Sequence, residues 1–236
     1  MKKIFKWFKG KKSKGGSQIL EYDTEGKDLI GFQEDFDVKL REEREKVFDE
    51  LFGHSESVSH EIMPLVPHID VYIYEPGYQG RDFYTLVSSG MSDMPMNTPE
   101  GVDDRFSRAE IVMYVKEPKD TYINLIRHYA RYPHKYETYF AFDHTIPNGQ
   151  PAEPYFENSS LDSIMFIPSI VKPDGSFTEL LKSSTGIEVQ LLHMTFLTSA
   201  ECDLKLEKGS DVIYDLLDEM NHSFICDEQR PSYVTP

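Results

Sequence analysis

Histidines and carboxylates that could hold a metal ion recur along the chain. His60 lies eight residues before His68, and Asp70 follows two residues later. Residues two apart on a strand share a face, so His68 and Asp70 would point the same way, and His144 could join them. Imidazoles combined with carboxylates suit zinc or iron. The spacing is not that of a zincin helix, whose histidines lie four apart, so ordinary hydrogen-bonded histidines near a strand start are the alternative.

A run of hydroxyls beside a carboxylate, residues 88–93, could supply a nucleophile. The run lacks the Gly-Xaa-Ser-Xaa-Gly turn of serine hydrolases, and the sequence places no base near it. Its small polar residues instead favour a loop in which Gly90 adopts a positive φ, while Ser92 and Asp93 hydrogen-bond to loop amides.

Phosphate-binding, dinucleotide-binding, kinase and zinc-knuckle motifs are absent from the sequence. We therefore predict a protein that is not an enzyme and uses no cofactor.

The elements that would position these residues follow from periodicity and turn formers. Apolar residues at helical spacing among charges predict an amphipathic helix over 36–52, which Gly53 ends. A second helix opens at residues 118–120, and Pro133 should end or kink it before residues 136–142 continue. Runs rich in β-branched and aromatic residues predict strands at 69–74, 83–87, 109–115, 163–167 and 187–197. Short helices begin at Ser199 and at Ser210.

Helices before, between and after the strands predict an α+β domain, with a mixed, largely antiparallel sheet flanked by helices. Tyrosines recur along the second helix at the spacing of a face that packs on a sheet, and part of this stripe could instead border a binding cleft. The stripe consists of Tyr122, Tyr129, Tyr132, Tyr136 and Tyr139.

Charge is distributed unevenly over the 236 residues. The whole chain carries −16 and its first fourteen residues carry seven lysines, so the remainder carries −23. An acidic body disfavours nucleic acid and favours a basic protein partner through electrostatic steering. Solubility alone is the alternative explanation.

The chain divides into a basic N-terminal tail (1–16), a linker (17–36) and one domain (37–236). The tail alternates lysines with Ile4, Phe5, Trp7 and Phe8, which allows weak contact with an anionic membrane surface, or else a disordered N-terminus. Only Cys202 and Cys226 are present, and no apolar run has the length of a membrane span, so we predict a cytoplasmic protein.

Several segments together resemble the suppressor of fused family, in its bacterial single-domain form. The resemblance extends from Val58 to Pro231 and is carried by 60–61 (His-Glu), 68–71 (His-Ile-Asp-Val), the loop 85–101, 108–112 (Arg-Ala-Glu-Ile-Val), 130–134 (Ala-Arg-Tyr-Pro-His), 144–149 (His-Thr-Ile-Pro-Asn-Gly) and 189–217.

The resemblance implies a protein-binding role. Animal members have two domains and hold an extended peptide of a transcription factor by strand addition in the cleft between them. Tyr132 and the pair Asp143–His144 look like residues that line this cleft, so they are our candidates for partner contact. This chain is expected to supply only the first domain.

Bacterial single-domain members are regarded as immunity proteins that neutralise a cognate toxin. The leading hypothesis is therefore a non-catalytic antitoxin that binds a basic toxin domain. The alternative is a metal-binding hydrolase or regulator that uses His60, His68, Asp70 and His144.

Overall fold

A computed structural model describes residues 11–20, 26–31 and 37–234. Within these residues there are five α-helices, which span Val38–Phe52 (α1), Asp120–Lys135 (α2), Phe177–Thr185 (α3), Ser199–Lys208 (α4) and Asp211–Glu219 (α5). The nine described strands span Lys11–Lys12 (β1), Gln18–Ile19 (β2), Ser55–Ser59 (β3), Asp70–Tyr74 (β4), Tyr84–Ser89 (β5), Ala109–Val115 (β6), Thr145–Pro147 (β7), Leu161–Pro168 (β8) and Gln190–Thr198 (β9).

Seven strands form one sheet in the order β3-β4-β5-β6-β9-β8-β7. All neighbouring pairs are antiparallel except β6 and β9, which run parallel with Ala109 opposite Gln190. A parallel pair needs a long crossover, and the chain between β6 and β9 supplies it with α2, β7, β8 and α3. The predicted α+β fold with a mixed, largely antiparallel sheet is confirmed.

Helices cover both faces of the sheet. Alternate residues of β6 face opposite ways: Ile111 packs in the core beneath α2, whereas Val112 packs in the core beneath α1 and α3. Helices α4 and α5 lie on the same side as α1 and α3, where Ile213 and Leu217 pack on β8 and β9. The strands β7 and β8 therefore separate the α2 side of the molecule from the α5 side.

Helix α1 shows how local signals set the ends of an element. The carboxylate of Asp37 accepts a hydrogen bond from the Leu40 amide at 3.0 Å, which is an N-cap. Gly53 ends the helix with a positive φ of 94°. The predicted helix over 36–52 is present from residue 38, and residue 36 lies outside the described residues.

Three predictions about elements were wrong in detail. Helix α2 does end before residue 136, as predicted, but two residues after Pro133, because a proline in the last turn removes only one backbone hydrogen bond. Residues 136–142 do not continue the helix, since Glu137 adopts a positive φ of 51°. Thr198 rather than Ser199 caps α4, in a reciprocal capping box with Glu201. Helix α3 and the short strands β3 and β7 were not predicted.

The N-terminal part is described only in pieces. The strands β1 and β2 form a hairpin, and the Gly15 amide within it donates to the Leu206 carbonyl of α4 at 2.8 Å. Residues 1–10, 21–25 and 32–36, on which much of the predicted tail and linker falls, lie outside the described residues, so the proposed boundaries stay predictions. Across the described ranges, no helix combines the length and the apolar character that crossing a membrane requires.

Candidate functional site

The end of β5 and the loop that follows it, up to residue 101, rest on a buried ion network. The Arg44 guanidinium, on the apolar face of α1, donates to Asp93 at 2.7 Å and lies 3.2 Å from the Glu110 carboxylate of β6. All three side chains are 2 % exposed or less. Burial raises the pKa of Glu110. Arg44, and the two serines that donate hydrogen bonds to Glu110, oppose that rise. The network joins α1, the loop and the sheet.

The hydroxyls of this loop serve the network rather than a reaction. Ser88 and Ser92 donate to the two oxygens of Glu110 at 2.5 and 2.6 Å. Glu110 also accepts the amides of Gly90 and Ser92 at 3.1 and 3.0 Å. Gly90 has the predicted positive φ, at 125°. The partners differ from the prediction, because Glu110 rather than Ser92 or Asp93 binds the loop amides.

Three of the four residues in the metal hypothesis come together. His60 Nδ1 lies 3.0 Å from one oxygen of Asp70, and His68 Nε2 lies 3.1 Å from the other. These are hydrogen-bond distances, and the His60 side chain is 71 % exposed.

His144 does not join this group. It precedes β7, which lies five strands away from β4 in the sheet. At about 4.8 Å between neighbouring strands, β7 and β4 are roughly 24 Å apart. In the part of the chain that the structure describes, no three histidine, cysteine or acidic side chains are grouped so that they could hold a metal ion.

Tyr132, the first partner-contact candidate, lies on the α2 side of the sheet. Its half-buried ring stacks on Phe140 with a centroid distance of 5.6 Å and lies 4.4 Å from the ring of Tyr136. Phe140 in turn packs on Phe166 of β8 at 4.7 Å. Of the tyrosine stripe, Tyr122 and Tyr129 are buried in the core, and the other three members are half-buried.

Asp143, the second candidate, lies just before β7, on the side of the sheet that α5 covers. It adopts a left-handed backbone conformation with φ 69°, and its carboxylate accepts the Tyr214 hydroxyl of α5 at 2.5 Å. Burial raises the pKa of Tyr214. The Asp143 carboxylate raises it further, because it disfavours a phenolate beside it. Tyr132 and Asp143 therefore lie on opposite sides of the sheet and do not share one pocket.

His144, the third candidate, lies between aromatic and cationic neighbours. Its ring is 4.8 Å from that of Tyr139. Burial and the nearby Lys205 ammonium lower its pKa to about 4, so the ring is neutral at pH 7. Lys205 of α4 is only 4 % exposed and reaches the Thr145 hydroxyl of β7 at 3.4 Å.

Next to Asp143, helix α5 presents a face of four exposed carboxylates. We call it the α5 acidic face, and it consists of Asp211, Asp215, Asp218 and Glu219. The first three lie at i, i+4 and i+7, which places them on one side of the helix. None of the four forms an ion pair with a described residue.

Sequence reasoning did not single out Tyr214, Lys205 or the α5 acidic face. The i, i+4, i+7 spacing of acids in residues 211–218 was a readable signal. The contact between Tyr214 and Asp143 had no such signal, because 71 residues separate them.

A small cavity lies apart from these residues, between β9 and the C-terminal segment. It is lined by residues that include Phe196, His222, Cys226 and Arg230, and it has a volume of about 10 Å³. That is room for about one water molecule, whereas small-molecule sites measure roughly 300–1,000 Å³. This cavity is too small for a substrate.

Comparisons with known proteins agree on one family. The sequence model for Suppressor of fused protein (SUFU) matches residues 66–231, so His60 and Glu61 fall outside the match. No curated protein matches the chain. A protein described as a SUFU homologue from Neisseria gonorrhoeae has a similar structure, with a TM-score of 0.61 and 16 % identity over 85 % of this chain and 100 % of that one.

A chain in the Sufu-Fu complex crystal structure is also similar, with a TM-score of 0.54 and 11 % identity over 82 % of this chain and 90 % of that one. At these identities, the two structures show that the fold is shared. The family match covers more than two thirds of the sequence and confirms the resemblance seen in its motifs. The chain belongs to the suppressor of fused family.

Proposed function

We propose that this protein is an immunity protein that binds a basic toxin domain in the cytoplasm and blocks it without catalysing a reaction. Family membership and the complex-forming structural neighbour indicate a protein-binding domain. The observation that carries the finer proposal is the position of Asp143 against α5, an exposed helix whose charged residues are all acidic.

The proposed interface is centred on the β7 edge of the sheet. Asp143 and the α5 acidic face lie on one side of the sheet, Tyr132 packs against the core on the other side, and the ring of His144 contacts Tyr139, which packs against that same core. Half-buried tyrosines held by ring stacking supply rigid contact area at protein interfaces, and carboxylates steer a basic partner towards them. A partner that reaches round this short edge would touch both sides.

A pull-down from the native cell, with the full chain as bait at low and high salt, tests the proposal. We expect one basic protein to be retained at low salt. Its binding to the bait should weaken at high salt, because salt screens exposed charges. Co-expression should then protect cells from that protein's toxicity. A purified partner that is acidic, or protection that fails although the complex forms, would refute the antitoxin role.

Paired charge variants locate the interface. D215N/D218N on α5 should slow association with the captured partner several-fold at low salt. E42Q/E50Q changes the net charge equally through exposed carboxylates of α1 and should alter the rate less than about 2-fold. Equal slowing by both pairs would mean that net charge, and not this face, recruits the partner.

A further inference from the structure

We propose that the C-terminal segment, residues 221–234, is an acid-sensitive latch that opens locally while the rest of the domain stays folded. Two histidines lie where this segment meets the sheet, and the ion pairs that hold the rest of the segment also weaken in acid. The latch is independent of the antitoxin function proposed above.

The segment is attached where two parallel strands stop pairing. The register of β6 and β9 ends with Val112 opposite His193. Further along β6, Tyr114 forms a bridge with Ile225 of the segment, and the Cys226 amide donates to the Tyr114 carbonyl at 2.8 Å. This bridge is the only regular pairing in residues 221–234, all of which the structure describes. A segment with so little secondary structure opens at a lower cost in free energy than the sheet beneath it.

His193 lies on β9 beneath the segment. It is 2 % exposed, and its buried Nδ1 atom has no hydrogen-bond partner among the described residues. Its ring lies 4.9 Å from that of Tyr114, and a backbone hydrogen bond links it to Phe224 of the segment. A proton added at Nδ1 would therefore create a buried cation with an unpaired donor, which is costly as long as the segment stays closed.

The described groups around His193 offer that cation no free counter-charge. The titratable side chains that face it are Tyr114 of β6 and His222 of the segment. The Tyr114 hydroxyl is bound to Asp174, and that carboxylate is already paired with Arg81. Burial, and to a lesser extent His222, keeps the pKa of His193 low, so its ring is neutral in the closed state at pH 7.

His222 lies in the segment itself, on the other side of the same contact. Its Nε2 atom is 3.3 Å from the Thr195 hydroxyl of β9, and its Nδ1 atom is 2.9 Å from the Tyr233 hydroxyl. The cavity of about 10 Å³ adjoins this ring, so the segment and β9 are not fully packed here.

Among the described residues, the charged groups that face His222 are Arg230 and Asp227 of the segment and Glu201 of α4. Burial, and to a lesser extent Arg230, lowers the pKa of His222 to about 4, and the two carboxylates oppose that change. Glu201 is already bound to Arg230, so it is not free to neutralise a protonated ring.

Two ion pairs hold the rest of the segment. Arg230 lies 2.7 Å from Glu201, and Glu228 lies 2.9 Å from Lys119, which precedes α2. Burial acts to raise the pKa of both carboxyls, but their hydrogen bonds, to Arg230 in one case and to Tyr122 and Lys119 in the other, lower it. A carboxylate with a lowered pKa stabilises the closed segment above about pH 4.5, and this contribution is lost as the pH falls further.

Acid therefore favours the open segment. In the open state the two histidines titrate near pH 6.5, whereas in the closed state the pKa is about 3 for His193 and about 4 for His222. The open state thus binds more protons below pH 6.5. Between pH 7 and pH 5, each histidine should raise the opening constant about 20-fold, and the two together about 400-fold.

Hydrogen exchange of the full chain, followed by mass spectrometry, tests the latch at pH 7 and pH 5, with rates corrected for the intrinsic effect of pH on exchange. Amides of residues 224–230 should lose at least about 100-fold of their protection between the two pH values. Their protection should stay below that of the β5 amides at both pH values. No loss of protection in the segment would overturn the proposal.

Histidine variants test the assignment. H193Q and H222Q should each reduce the loss of protection to about 20-fold, and H193Q/H222Q should reduce it to less than about 3-fold. Because His222 is only half-buried, H222Q decides the question even if the His193 variants do not fold. An unchanged loss in H222Q would contradict the role of this histidine in the latch.

H134Q is the matched control. His134 is also buried, which lowers its pKa to about 4, but its neighbours are the Met91 carbonyl, Arg108, Arg131 and Asp93, none of which belongs to the segment. H134Q should leave the loss of protection in the segment unchanged and should reduce the loss in β5, which exchanges only when the whole domain unfolds. Equal effects on the segment and on β5 would show that the segment opens only with the domain, and the latch would be refuted.

Discussion

At the scale of single residues, buried charges stabilise the loop that follows β5. Arg44 occupies a position on α1 where the helical spacing calls for an apolar residue, between Leu40 and Val47. It forms ion pairs with both Asp93 and Glu110, which are buried with it. Removing one member of a buried pair leaves a charge without compensation.

We expect Arg44→Met to lower the free energy of unfolding by about 3–5 kcal/mol, as measured by urea denaturation. The control is Lys46→Met on the same helix, which removes an exposed pair with Glu43 and should shift the urea midpoint far less than Arg44→Met does. Adding Glu110→Gln to Arg44→Met should recover part of the loss. A similar cost for the Arg44 and Lys46 variants would contradict this account.

Gly90 is the second residue on which the loop depends. Its φ of 125° is a conformation that other residues rarely adopt, and a side chain there would overlap the His68 carbonyl. Gly90→Ala should therefore lower the free energy of unfolding by about 1–3 kcal/mol, as measured by thermal or urea denaturation. Gly175→Ala is the matched control, because no atom lies within 4 Å of its added methyl, and it should stay within about 0.5 kcal/mol of the parent.

At the scale of elements, caps and turns decide how α4 and α5 meet the β7 edge. Thr198 and Glu201 form a capping box, and Glu201 also binds Arg230 of the C-terminal segment at 2.7 Å. Arg230 donates to the Phe196 carbonyl at 2.6 Å, which secures that segment to β9. These contacts hold the helix that carries Lys205, beside the proposed interface.

The two N-cap positions of α4 and α5 make a matched test. Thr198 accepts a hydrogen bond from the Glu201 amide, whereas the Ser210 side chain makes no capping bond to α5. Thr198→Ala should lower the free energy of unfolding by about 1 kcal/mol, and Ser210→Ala by less than about 0.5 kcal/mol. Equal costs would show that the capping hydrogen bond contributes nothing measurable.

At the scale of the whole molecule, buried histidines couple stability to pH. Burial lowers the pKa of His134, His144 and His222 to about 4. Burial, and to a lesser extent the nearby His222, lowers the pKa of His193 to about 3. An unfolded histidine titrates near pH 6.5, so the unfolded chain binds more protons below that pH. The stability contribution is complete above about pH 6.5 and is lost as the pH falls towards 4.

We therefore expect the urea midpoint to fall between pH 6.5 and pH 5. His193 is 2 % exposed and should account for about 2 kcal/mol of the loss at pH 5. His193→Gln should make the fall shallower, whatever its effect on stability at pH 7. A steeper or equal slope in His193→Gln would contradict the assignment.

The sequence by itself determined the elements that have strong local signals. The buried strand β6 was predicted at 109–115, and α1 with its Gly53 end was found to within two residues, because periodicity and turn chemistry act within a few residues. The motifs around Gly90 and Asp143 also sufficed to indicate the family. The edge strands β3 and β7 escaped prediction, because β3 (Ser-Glu-Ser-Val-Ser) contains only one β-branched residue and β7 is only three residues long.

Only the tertiary structure decided which side chains meet. Sequence spacing grouped His68 with Asp70 correctly, since Asp70 begins β4 and His68 lies two residues before it, but it could not show that His144 lies across the sheet. Tyr132 and Asp143 were both chosen by resemblance, and the fold places them on opposite sides of the sheet. Strand order and helix packing fix these distances, and both depend on contacts between residues far apart in the chain.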